Sequence, residues 1–512
     1  MPPHGKCHKS CSTLVHPDCR WSGYHTMHRT ARWRQAQISL AQFQWKAHCM
    51  LQKRSGKNAS QKFSALLMLE VPIFTRSNHP AFNPQLSFLD YQRYSVWSIT
   101  EEQAARHKKS TKSECTFSDK VRHLFFATLA SMNGKRHRES SAAKIDGRTL
   151  QRILLFRYDA IGDYICTTPV LRWLKTAHPH LQIDVVSSYR NDTLVRADFN
   201  VAHAYPIHPR AGIHFSWIPL LRATRAAEYD AIFALVYTRT SKAALLASLI
   251  SSKAKKIAAQ HDKRSEIYSL VFDYQVPIVA YEEHYSRTML RMATHSIDFP
   301  DAAPPNNLPT YLSVRAINAE PVVQLVQQHN LDFSVTSEHL FVDGKPATVM
   351  LPSFSGRPYC IVNIAASRLK PDCIWSAEQV TQMCKILVKS YPDLMIFVTG
   401  ALSEHKQVQA IVKTVSDARC QPLMIGLLEV AVAIAGAKFV LTPDTAIVHI
   451  ASAAGVPVVG LYSQLRSIAE WYPYQSPFAL LLSPNEGSIN HIPLARVEEA
   501  LEQLLSETKI SL

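Results

Sequence analysis

The chain has 512 residues, of which 47% are apolar, and a formal net charge of +16. That length holds two or more domains, and that apolar share supplies proper cores. No run of about 18 apolar residues appears, which excludes a membrane-spanning helix, and ten scattered cysteines exclude a disulfide scaffold.

The chain opens without the apolar stretch of a secretory signal, so the expected compartment is the cytoplasm. Its positive charge favours anionic partners: nucleic acid, anionic lipid or a phosphorylated glycolipid. No zinc-finger, homeodomain or RNP pattern supports nucleic acid.

Residues 1–148 read as a basic, irregular, disordered leader, with RHKKSTKSE around Lys108 and NGKRHRESSAAK around Arg136. Cys7, Cys11, Cys19, His16, His25 and His28 match no standard zinc spacing. A short helix is expected over 119–131. The character changes at Arg152. RILLFR is a buried-strand run, YDAIGD a turn with Gly162 in its bend, and 164–177 a helical pattern that Pro169 kinks or restarts. IDVVSS, YDAIFAL and KKIAA follow as further strands, so 149–320 reads as a doubly wound α/β domain.

A Pro- and Asn-rich stretch, AAPPNNLP, leads into an expected linker over 321–358. YCIVNIAAS then opens a second α/β domain, 359–512. It continues with a helix at 377–390, the strand LMIFVTG, a helix at 404–415 and a terminal helix at 497–505. Within it lies KFVLTPDTAIVHIASAAGVPVVGLY, a strand–helix–strand unit. Asp444 is the expected N-cap of a helix starting at Thr445, and Ile447, Ile450, Ala451 and Ala454 form its apolar face. The first turn of such a helix attracts anions through its unpaired N–H groups and dipole. His449 lies one turn in.

RILLFRYDAIGDYICTTPVLRWLKTAHPHLQIDVVSS resembles the N-terminal signature of glycosyltransferase family 9, and VLTPDTAIVHIASAAGVPVVGLY resembles its nucleotide-site signature. NIAASR at Asn363, Trp375 opening a helix, FVTG before Glu404 and EEHYSRTML around His284 fit the same pattern. The resemblance implies a GT-B fold: two Rossmann-like, doubly wound domains facing a cleft, here with an irregular basic N-terminal extension. It implies inverting transfer, without metal or cofactor, of heptose from ADP-heptose to an anionic Kdo–lipid A type acceptor. That acceptor would place the protein in peripheral contact with the inner face of the inner membrane. Asp163 matches the family's base, with Asp159 second in the same turn. Ser367, Arg368, Lys370, Glu404, Asp444, Thr445, Ala446 and His449 match the donor site. Three departures stand out: Ala366 and Ala446 replace usual hydroxyl and glycine positions, and Cys373 replaces the usual lysine, leaving Arg368 or Lys370 to supply its charge. Other readings are a family 9 transferase with a different nucleotide sugar, a member that binds without catalysis, and a nucleic-acid binder acting through its leader.

Overall fold

The computed structural model describes residues 73–75, 117–132 and 143–512, apart from 209–214, 216, 237–240, 261–264, 279–282, 301, 303–304, 306–307, 366 and 368–369. The candidate zinc ligands of the leader lie outside the described residues.

Strand β1 is Ile73–Thr75. Among the described residues, the main sheet of the first domain has six strands: β2 (Arg152–Phe156), β3 (Gln182–Ser188), β4 (His203–Ile207), β5 (Ala231–Ala234), β6 (Lys255–Ala259) and β7 (Tyr274–Val276). They form one parallel sheet in the order β4-β3-β2-β5-β6-β7. The second domain carries β8 (Tyr359–Asn363), β9 (Met395–Thr399), β10 (Cys420–Leu423), β11 (Val440–Pro443), β12 (Val458–Tyr462) and β13 (Phe478–Leu482). Their order is β13-β12-β11-β8-β9-β10, with β1 added antiparallel to β13 at the edge. Each sheet therefore reverses its strand order at one internal point, between β2 and β5 and between β8 and β11. Ligands of such sheets bind beyond the carboxyl ends of the strands at that point.

Continuous apolar runs suit strands covered on both faces. In β2, Ile153 and Leu155 face one core while Leu154 and Phe156 face the other. The first of those cores continues into the second domain through Ile361, Phe397 and Val440, so apolar packing joins the halves.

The helices that bear on the site and its flank include α1 (Phe117–Met132), α2 (Ile161–Ile165), α3 (Thr168–Ala177) and α4 (Tyr285–Ser296). A fifth, α5, is Ala446–Ala453. The expected kink at Pro169 is a restart: α2 stops, and Pro169 enters the first turn of α3, where its missing N–H costs nothing. The leader's structure corrects its expected extent. Helix α1 packs against the helix Ser265–Val271, and the Tyr274 hydroxyl donates to the Ala143 carbonyl, so these residues belong to the first domain. The stretch read as linker is also built. A helix, Ala316–His329, packs on Leu427–Ala435, and Leu312–Val314 pairs with Leu340–Val342.

Candidate functional site

The turn after β2 is organised by Arg157, the charged residue that ends the apolar run. Its side chain is fully buried. Nη1 meets Asp159 Oδ2 at 3.2 Å, Nη2 meets Asp163 Oδ1 at 3.1 Å, and Nε donates to the Asp163 carbonyl at 2.9 Å. Nη1 also donates to the Leu235 carbonyl at the end of β5, across the switch point. A buried guanidinium needs such partners, because an uncompensated buried charge costs several kcal/mol, roughly 3–5. Sequence reading missed Arg157. Its signal was an arginine closing a buried strand with two aspartates within six residues.

Asp163 also accepts the Ala160 N–H at 3.0 Å, so it caps α2 as well as pairing with Arg157. Its side chain keeps 18% exposure. Asp159 differs. Its Oδ1 is buried without a hydrogen-bond partner among the described residues. Burial pushes its pKa up to about 8, opposed by the Arg157 charge and reinforced by that of Asp163.

The opposite wall is the start of α5. Its N-cap is Thr445, not Asp444 as expected; the helix begins one residue later. Thr445 has the extended backbone of a cap, and its Oγ1 accepts the Ile447 N–H at 3.3 Å. Asn363, at the end of β8, donates from Nδ2 to Thr442 Oγ1 at 2.9 Å and Thr445 Oγ1 at 3.2 Å. It ties the two strands that flank this switch point. Asp444, released from capping, meets Lys370 Nζ at 3.1 Å. Burial works against the Lys370 charge, but the Asp444 carboxylate outweighs it and raises the lysine's pKa. Of the two cations offered for the missing lysine, Lys370 stands at the helix mouth. Arg368 and Ala366 lie outside the described residues. Cys373 is buried, with Sγ 3.2 Å from Ser463 Oγ.

Ser367 is exposed, and its carbonyl closes a turn with the Lys370 N–H at 2.8 Å. Glu404 accepts the Ala401 N–H at 2.8 Å, which anchors it to its own loop beyond β9. Ala446 is the first residue of α5.

The two walls meet. Helix α2 packs on α5, and a Cβ placed on Gly162 would lie 2.5 Å from His449 Cδ2. Only glycine permits this approach. His449 is buried, with Nδ1 3.5 Å from Cys166 Sγ. Burial drives its pKa down to about 4, against the pull of Asp444 and Asp163, so it is neutral at neutral pH. Asp163, His449, Lys370 and Asp444 thus share one electrostatic neighbourhood at the junction of the domains.

A model of glycosyltransferase family 9 (heptosyltransferase) matches residues 217–490. The chain belongs to glycosyltransferase family 9. It is a glycosyltransferase with the GT-B fold. Among solved structures, a family 9 glycosyl transferase from Veillonella parvula is 17% identical, with a TM-score of 0.55, covering 72% of this chain and 100% of its own. The ADP-heptose lps heptosyltransferase II of E. coli is 19% identical, with a TM-score of 0.52, covering 70% and 100%. No curated protein matches the sequence significantly. The family match begins beyond the Asp163 turn, so that turn's role rests on its geometry. Among the described residues, no helix is long and apolar enough to cross a membrane.

Proposed function

We propose that this family 9 enzyme transfers heptose from ADP-heptose to an inner-core lipopolysaccharide acceptor, with inversion and without a catalytic metal. One observation carries the reading: the carboxylate turn after β2 and the N-terminus of α5 meet, each at its own sheet's switch point. A single-displacement transfer needs a base on one side and a stabilised leaving group on the other.

In this reading Asp163 takes the proton of the acceptor hydroxyl. The hydroxyl oxygen bonds to the anomeric carbon as the bond to the β-phosphate oxygen breaks, and ADP leaves with that electron pair. The first turn of α5 supplies N–H donors, with Thr445 and Ala446 at its mouth, and Lys370 supplies positive charge. Asp444 holds Lys370 there until phosphate competes for it. His449 supports the sugar-nucleotide side as a neutral group. Ser367 and Glu404 complete the donor site by resemblance, with Arg368 the other cation offered in the same loop. The basic surface suits an anionic Kdo–lipid A type acceptor and peripheral contact with the inner face of the inner membrane.

A second reading of the base has its own support. Among the described residues Asp159 has a buried oxygen without a partner, and burial raises its pKa, which suits a group that accepts a proton. Thermal shifts with ADP, UDP and GDP test the donor. Stabilisation by ADP above the other two supports the reading; preference for UDP or GDP moves the enzyme to another nucleotide sugar.

A further inference from the structure

Behind the Asp163 turn, three donor groups converge that the transfer reaction does not need together. Cys166 follows α2, His284 is the N-cap of α4, and His449 sits in α5. All three are buried, at 0%, 1% and 6% exposure. Each offers one ligand atom, and these atoms lie within 4.8 Å of one another. The geometry points to a site for a thiophilic divalent cation of the zinc class, built by both domains.

The chemistry of the set fits. One thiolate and two imidazoles are common ligands of zinc, and sulfur to nitrogen spacings near 3.5 Å arise naturally around a tetrahedral ion with bonds of about 2.0–2.3 Å. Cys166 Sγ and His449 Nδ1 already stand 3.5 Å apart. His284 is braced: Nε2 donates to the Tyr472 carbonyl at 3.0 Å, and Nδ1 accepts the Ser286 N–H at 3.1 Å. Its ring also stacks on Tyr474, with centroids 4.5 Å apart. A metal-binding histidine is oriented by a partner on one ring nitrogen while the other takes the metal. The nitrogen that turns to the cation gives up one of those two partners and keeps the other. The fourth position falls to water or to the Ser286 hydroxyl, which neighbours Cys166. On binding, the Cys166 thiol gives its proton to solvent and its sulfur takes the cation.

The ligands come from two bodies. Cys166 and His284 belong to the first domain and His449 to the second, so opening of the cleft exposes the site and occupancy draws the halves together. The cation is thus a clamp on domain closure that shares His449 with the donor side and leaves the phosphate cradle at the start of α5 to Thr445, Ala446 and Lys370.

The test uses the full chain, loaded with Zn²⁺ or Co²⁺ and dialysed, beside Cys166→Ser and His284→Gln. Subtraction removes any metal held by the leader's own cysteines and histidines. Wild type should hold one equivalent more than either variant. Its Co²⁺ form should show a thiolate-to-cobalt band that Cys166→Ser loses, and Zn²⁺ should raise the melting temperature of wild type alone. Equal metal content in all three proteins overturns the proposal. If a variant misfolds, anomalous scattering at the zinc edge from wild-type crystals decides: a peak among the three side chains supports the site, and its absence overturns it. None of these readouts depends on transfer activity, and an ADP thermal shift reports the donor site separately.

Discussion

Gly162→Ala probes the contact between the two walls. The added Cβ would sit 2.5 Å from His449 Cδ2 and 3.2 Å from Nε2. Carbon atoms in contact lie about 3.5–4.0 Å apart, so roughly 1 Å must be recovered. The imidazole has little room to yield, because Cys166 Sγ, the His284 ring and the Trp471 ring surround it. Helix α2 and α5 must therefore separate. Overpacking of this kind costs about 1–3 kcal/mol, while alanine in a helix gains about 1 kcal/mol over glycine. Net stability should thus fall by no more than about 2 kcal/mol, from the difference of those two ranges. Activity should suffer more, since a 1 Å misplacement at a reacting centre costs about 100-fold. Thermal melts and steady-state transfer kinetics on the same preparation separate the two effects. A variant with wild-type turnover would refute the claim that this glycine sets the closed geometry.

Three further outcomes follow from the site. Lys370→Ala should weaken ADP binding about tenfold, for the loss of one charge-assisted contact, and calorimetric titration checks it; unchanged affinity would remove Lys370 from the cradle. Asp159 has a raised folded pKa, so above its unfolded value the folded state keeps a proton that the unfolded chain releases. Its burial therefore weakens the fold progressively as pH rises from about 4 to about 8, and Asp159→Asn should flatten that slope in thermal melts. His449 has the opposite sign. Its folded pKa is depressed from 6.5 to about 4, so its contribution is present above 6.5 and lost as pH falls through that window. At about 1.4 kcal/mol per unit, the loss amounts to about 3 kcal/mol, read as a drop in melting temperature between pH 6.5 and pH 4 that His449→Gln lessens.

The parts legible in the sequence were those where local chemistry and tertiary role agree. RILLF and YCIVN are buried on both faces, and their unbroken apolar runs announce it. The helix at Ala377–Ser390 begins behind Ser376, whose hydroxyl accepts the Gln379 N–H as a cap should. Strands β4 and β10 escaped because each carries a proline, Pro206 and Pro422, and sits at a sheet edge where that is tolerated. Asp444 and Thr445 are both good caps, and tertiary contacts separate them: Asn363 holds the Thr445 hydroxyl while Asp444 pairs with Lys370. The convergence of Cys166, His284 and His449 was not visible, because 283 residues separate the first from the last and no local pattern encodes the meeting of two domains.

In the proposed reaction Asp163 removes the acceptor's proton. Asp163→Asn keeps an oxygen for the Ala160 N–H and leaves Asp159 as the remaining carboxylate beside the buried Arg157. The decisive measurement is the single-turnover transfer rate of this variant with ADP-heptose and a Kdo–lipid A acceptor. A fall of about 100- to 10,000-fold is expected, the share a positioned base contributes, with ADP affinity retained. A rate within about threefold of wild type, far below that share, would contradict it and pass the role to Asp159.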